Sequence, residues 1–172
     1  MTNKKFLNAL ANGKVDIIKE IINLLAELNI DYCLIGGLAV NAYAEPVVSM
    51  DLDLVLTLAD TEKLIEEAKN KFKVEKFPHS INLTHPQSDL RIQIQTDPRY
   101  QYFIASAEKK QVMGYELKVA KLEDVLLGKL WAYQDEERRK SKRQKDLADI
   151  MRLVETHQHL YDLLPKQVKA LF

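Results

Sequence analysis

Two aspartates, Asp51 and Asp53, stand at alternate positions in the apolar run SMDLDLVLTL. In an extended strand they point the same way, roughly 6 to 7 Å apart along the chain, so their carboxylates can converge on one point. Two carboxylates on a mostly apolar strand repel each other and lose hydration unless a cation compensates. A hard divalent ion, magnesium above all, meets that need, because it takes oxygen ligands and keeps positions open for substrate phosphates. Upstream, Gly36 and Gly37 in DYCLIGGLAV mark a turn from strand into a short helix, where glycine lets the backbone approach a ligand and aims N–H groups at an anion. Each motif alone also has a plain reading, an edge strand facing water and a tight turn. Their order is more specific than either: strand, Gly-Gly, short helix, then Asp-x-Asp on the next strand.

The elements that must hold these groups follow from periodicity. Ile18, Ile21, Ile22, Leu25 and Leu28 predict an amphipathic helix over 15–29. DYCLIGG predicts a strand, LAVNAYA a brief helix ended by Pro46, and SMDLDLVLTL a strand with Leu52, Leu54 and Leu56 on one face and Asp51, Asp53 and Val55 on the other. Residues 57–61 read as a turn in which Asp60 or Thr61 caps the helix TEKLIEEAKNKF. Strands KVEKF, SINLT and DLRIQIQT come next, then KQVMGYELKVA, a hairpin or bent strand with Gly114 at the bend. LEDVLLGKLWAYQ and KDLADIMRLVETH are strong helices and LYDLLPKQVKALF a weaker one. The fold class is therefore α/β (α+β), a small mixed sheet backed by helices, with residues 1–120 as the core and 121–172 as a helical part packed on it within one structural domain.

LIGGLAVNAYAEPVVSMDLDLVL resembles the signature of the DNA polymerase β-like nucleotidyltransferases. LEDVLLGKLWAYQDEERRKSKRQKDLADIMRL is similar to the C-terminal half of their bacterial branch related to abortive-infection and toxin–antitoxin nucleotidyltransferases. The resemblance implies a nucleotidyltransferase fold, a two-metal magnesium site, and transfer of a nucleoside monophosphate from a nucleoside triphosphate to an acceptor hydroxyl. It implies that Gly36 and Gly37 hold the triphosphate, Asp51 and Asp53 ligate the metals, Lys129 and Lys145 contact phosphate, and Asp146 supports the site or the acceptor. Whether the acceptor is RNA or protein, and whether a cognate antitoxin is a partner, stay open. The family's third carboxylate on a later strand is replaced by Gln93, whose amide oxygen can ligate magnesium but brings no negative charge; Asp89 and Asp97 flank that strand as substitutes under another register. Where related chains carry an arginine and a threonine before Asp-x-Asp, this one has Val47, Val48 and Met50. Those departures keep a second reading beside the enzyme, a nucleotidyltransferase-fold protein that binds nucleotide or a partner without efficient catalysis.

Composition narrows the rest. The 172 residues carry 25 basic and 25 acidic side chains, so global charge argues for no long-range attraction to nucleic acid. The charge is uneven, since RRKSKRQK over 138–145 holds six basic residues. On one helix Arg138, Lys142, Lys145 and Asp149 share an exposed face opposite Leu147, Met151 and Val154, a landing site for an RNA acceptor, while Arg139, Lys140 and Arg143 read as solvated surface. No apolar run reaches membrane-spanning length and the N-terminal stretch lacks a signal-peptide core, which predicts a cytoplasmic protein without membrane contact. Cys33 reads as a buried small apolar residue, and His79, His85, His157 and His159 lack zinc-ligand spacing. Tyr100, Tyr102 and Phe103 read as core or loop anchors before base-stacking groups, and Trp131 as core.

Overall fold

The computed structural model describes residues 2–172. In chain order, α1 (Asn3–Leu10) and α2 (Ile17–Glu27) lead into β1 (Tyr32–Ile35), α3 (Gly36–Val40), β2 (Asp51–Leu56) and α4 (Leu58–Ala68). Next come β3 (Lys73–Lys76), β4 (Ser80–His85), β5 (Ser88–Gln95), β6 (Glu108–Val112) and β7 (Tyr115–Val119), then α5 (Leu122–Gln134), α6 (Lys140–Thr156) and α7 (Lys166–Lys169). The strands form one mixed sheet ordered β3-β4-β5-β2-β1-β7-β6, with β3 and β6 as its edges.

Alternation divides the central strands into two faces. Leu52, Leu54 and Leu56 of β2, Leu90, Ile92 and Ile94 of β5, and Ile81 and Leu83 of β4 are buried in one core with Ile18, Ile21 and Leu25 of α2 and Leu64, Ile65 and Ala68 of α4. Each such leucine or isoleucine contributes about 1.5–3 kcal/mol through burial, which fixes the register and sends the intervening residues to the other face. That second face carries Asp51 and Asp53 beside Arg91 and Gln93 in the parallel β2–β5 pair. α5 and α6 pack on each other and close over it, and Val125, Leu126, Leu130, Ile150 and Leu153 join the same core. At the β6–β7 hairpin, Met113 and Gly114 both adopt positive φ, the two-residue turn that the strand twist favours.

Several expected boundaries move, each for a local reason. α3 opens on Gly36 itself rather than after the glycines. α4 is capped by Thr57, whose Oγ1 accepts from the Asp60 N–H, so Asp60 and Thr61 lie inside the helix instead of starting it. α6 extends back into the basic cluster only as far as Lys140, which leaves Arg138, expected on its face, ahead of the helix, and its buried side is Asp146, Ile150, Leu153 and Val154, leaving Leu147 and Met151 only half-buried. The C-terminal helix divides into a 3-10 segment, Gln158–Leu163, and α7, because Pro165 supplies no N–H and serves as the cap of α7. α1, capped by Thr2, has no counterpart among the sequence expectations. Cys33 is fully buried, and Phe103 stacks on Trp131 with Tyr100 edge-on to both, while Tyr102 is exposed. No helix among the described residues is long and apolar enough to cross a membrane.

Candidate active site

Asp53 is positioned from two sides. In the antiparallel β1–β2 pair it lies opposite Ile35, immediately before the turn at Gly36, whose φ is +75°. A Cβ on Gly36 would stand 2.1 Å from Asp53 Oδ2, so only glycine leaves the carboxylate its place. No hydrogen bond supports Asp53 among the described residues; burial first, then the charge of Asp51, pushes it up to about 6, against the pull of Lys129, Arg138 and Arg91. The fold thus holds a buried carboxylate whose charge is under-compensated.

Asp51 is in the opposite situation. Its register partner Arg91 donates from Nε to Oδ1 at 2.9 Å, and Lys142 Nζ of α6 stands 3.7 Å from Oδ2. Gln93 lies beside Asp53 in the same pairing. Asp89 and Asp97 do not substitute for it. Asp89 is exposed, with its N–H on the Ala11 carbonyl, and Asp97 is gripped by the Arg99 guanidinium, which holds its carboxyl below the usual range.

The helices supply the cations. Lys129 of α5 is buried between Asp146 Oδ1 at 3.1 Å and Asp149 Oδ2 at 2.8 Å. Burial opposes its charge, yet Asp149 and Asp146 outweigh burial and hold the ammonium above its ordinary value. Asp146 gives its other oxygen to Arg138 Nε at 2.7 Å. Asp149 takes Arg152 Nη1 at 2.7 Å, and Arg152 Nη2 also donates to Asn41 Oδ1 and to the Glu45 carbonyl. Asn41 in turn bridges both the N–H and the carbonyl of Val47, so this chain of contacts ties α6 to the loop ahead of Asp51.

These groups bound one cleft with two arms that share Asp53, Lys129, Arg138 and Asp146. One arm is polar and cationic, with Gly37, Ser49, Lys142, Lys145 and Arg152. The other is a recess between Gln93, Gln95, Tyr100, Gly128 and Ala132. A larger hollow of about 490 Å³ lies between α2 and α4 near Glu20 and Lys71, away from Asp51 and Asp53, and is lined by side chains of both charges.

The structure therefore gathers Gly36, Gly37, Asp51, Asp53, Gln93, Lys129, Lys145 and Asp146 around one cleft. Two of the expected arrangements differ. The α6 face expected to lie in solvent turns inward, since Lys142 approaches Asp51 and Asp149 holds Lys129, because the buried stripe of α6 includes Asp146. Of the two lysines expected to contact phosphate, Lys145 is exposed at the rim, whereas Lys129 is buried with Asp146 in the floor. Arg91, Arg152 and Asn41 were not anticipated. For Arg91 the available signal was its place two residues before Gln93 in an alternating strand, which puts both on one face. Among the described residues no three His, Cys, Asp or Glu side chains assemble into a metal cluster. Asp51 and Asp53, with the Gln93 amide beside them, are hard oxygen donors of the kind magnesium accepts.

Comparison with known proteins adds a second line. A protein-family model described as nucleotidyl transferase AbiEii toxin, type IV TA system, matches residues 23–172. No curated protein matches the chain. Among solved structures, ANT(2'')-Ia in complex with adenylyl-2''-tobramycin superposes with a TM-score of 0.60 at 17% identity, over 90% of this chain and 92% of that one. The lincosamide antibiotic adenylyltransferase LnuA, lincomycin-bound, gives 0.57 at 14% identity over 82% of this chain and 98% of that one. An antigenic nucleotidyltransferase-like protein from Paracoccidioides brasiliensis gives 0.54 at 20% identity, over 87% and 75%. At these identities the likeness is one of fold.

Proposed function

The chain belongs to the AbiEii nucleotidyltransferase toxin family, and from that membership we propose that it moves a nucleoside monophosphate from a nucleoside triphosphate to an acceptor hydroxyl on RNA or protein, within a toxin–antitoxin pair. The acceptor oxygen bonds the α-phosphorus as the bond to the β-phosphate oxygen breaks; pyrophosphate leaves and the hydroxyl proton passes to solvent. The observation that carries this reading is the meeting of Asp51 and Asp53 with Gly36, Gly37 and the buried Lys129 in one cleft.

Each side chain has a task in that reaction. Asp51 and Asp53 would hold magnesium, with Gln93 offering an uncharged oxygen. Magnesium, when bound, draws charge from the α-phosphate and the leaving group. Gly36 and Gly37 admit the triphosphate close to the backbone, and Lys142, Lys145 and Arg138 neutralise it along the cationic arm. Asp146 and Asp149 keep Lys129 charged and fixed, so its field acts without reorganisation as charge develops. Gln95 and Tyr100 line the other arm, where the acceptor would reach the α-phosphate.

The test is transfer of label from each α-labelled nucleoside triphosphate, with magnesium, onto total RNA and total protein. Label should move to one acceptor class and fall by about 100-fold or more in Asp51→Asn. Magnesium-dependent nucleotide binding with no transfer under any condition would instead establish the binding-only alternative that Gln93 and Arg91 favour.

A further inference from the structure

We infer that this site takes one divalent ion with its triphosphate rather than two, because Arg91 and Gln93 put a fixed cation and a neutral amide where a second ion needs carboxylates. The inference rests on the metal-dependent reading above and narrows it. A two-ion phosphoryl-transfer site holds its metals about 3.5–4 Å apart, between carboxylates that bridge and flank them. Here β2 supplies Asp51 and Asp53, and β5 beside it supplies Gln93 next to Asp53 and Arg91 next to Asp51. Among the described residues no third His, Cys, Asp or Glu completes a cluster with the pair. The other acids of the cleft are spoken for, since Lys129 and Arg138 hold Asp146, and Lys129 and Arg152 hold Asp149.

Asp51 is occupied as well. One oxygen accepts from Arg91 Nε at 2.9 Å and the other faces Lys142 Nζ at 3.7 Å. Arginine does not lose its proton in a protein, so this charge stays whatever the pH. Asp53, which no hydrogen bond supports, is the carboxylate left to lead the coordination of an ion.

The charges of the cleft point the same way. Asp51, Asp53, Asp146 and Asp149 are outnumbered by two by Arg91, Lys129, Arg138, Lys142, Lys145 and Arg152. A nucleoside triphosphate with one divalent ion carries roughly two negative charges near neutral pH and balances that surplus. A second ion would leave the cleft positive beside Arg91, in surroundings that screen poorly.

The experiment is equilibrium dialysis of the full chain against manganese and inorganic tripolyphosphate, counting both per chain, with the paramagnetic resonance spectrum of the bound metal. The wild type should retain about one manganese ion per tripolyphosphate, with the spectrum of an isolated ion. The double variant Arg91→Ala/Gln93→Asp should take up a second ion, and coupling between the neighbouring ions should broaden the signal. Two ions on the wild type overturn the inference, with no variant needed. A folded double variant that stays at one overturns the roles given to Arg91 and Gln93, and Gln93→Asp alone, which keeps the Arg91 ion pair, is expected to remain at one. Tripolyphosphate bound with no manganese at all overturns the underlying metal reading, an outcome distinct from a count of two.

Discussion

Asp53 carries a charge that its surroundings discourage, and the sign of the effect on folding follows directly. Its carboxyl is pushed up to about 6 from an ordinary 3.8, so on raising the pH the unfolded chain loses this proton before the folded one does. Stability owed to this group therefore declines between about pH 4 and 6 and stays reduced above, by an amount on the order of 2–3 kcal/mol. Asp53→Asn should raise the melting temperature of the metal-free protein at pH 7.5 and leave it unchanged at pH 4; an equal shift at both would contradict the assignment. Lys129→Met should act oppositely, destabilising by about 3 kcal/mol in thermal melts, because it strips the buried Asp146 and the half-buried Asp149 of their shared ammonium. The two aspartates of β2 were legible in the sequence because their type and their alternation are both local. The Arg91 contact was not, since it depends on which residue of β5 pairs with which of β2 across 40 positions, and nothing within either strand states that register.

Among the elements, α3 and α6 have the most exacting placement. α3 can begin where it does only because Gly36 has no Cβ, so Gly36→Ala should displace Asp53, lower stability by about 1–3 kcal/mol and reduce manganese retention in equilibrium dialysis. α6 reaches the sheet through charged groups, and Arg152 links it to Asn41 and the Glu45 carbonyl. Arg152→Gln should therefore loosen the loop before β2, read as faster amide exchange at Val47, whose N–H is held by Asn41. The strands and α5 were legible from apolar periodicity; Gly114 marked a bend that could be a hairpin or a kinked strand, and the β6–β7 pairing makes it a hairpin. The inner face of α6 was not, because Asp146 is a carboxylate on the buried stripe, and its burial depends on Lys129 and Arg138, which come from outside the helix. The terminal segment was misjudged for the plainer reason that Pro165 interrupts an otherwise helical pattern.

Taken whole, the molecule sets Asp51 and Asp53 of the sheet against a helical side that carries more cations than acids, with equal numbers of acidic and basic residues overall and a local excess of positive charge in the cleft. Substrate attraction should thus be short-ranged, and added salt should weaken tripolyphosphate binding mainly through the cleft residues. The outer borders of the sheet have a different consequence. β3 presents Lys73 and Lys76 along one rim, and β6 presents Lys109 and Lys110 along the other. Lys73 pairs with Glu75 of its own strand and Lys109 with Glu116 of β7, so two copies meeting rim to rim would have to strip water from these charged pairs before backbone ladders could join, which disfavours edge-to-edge association.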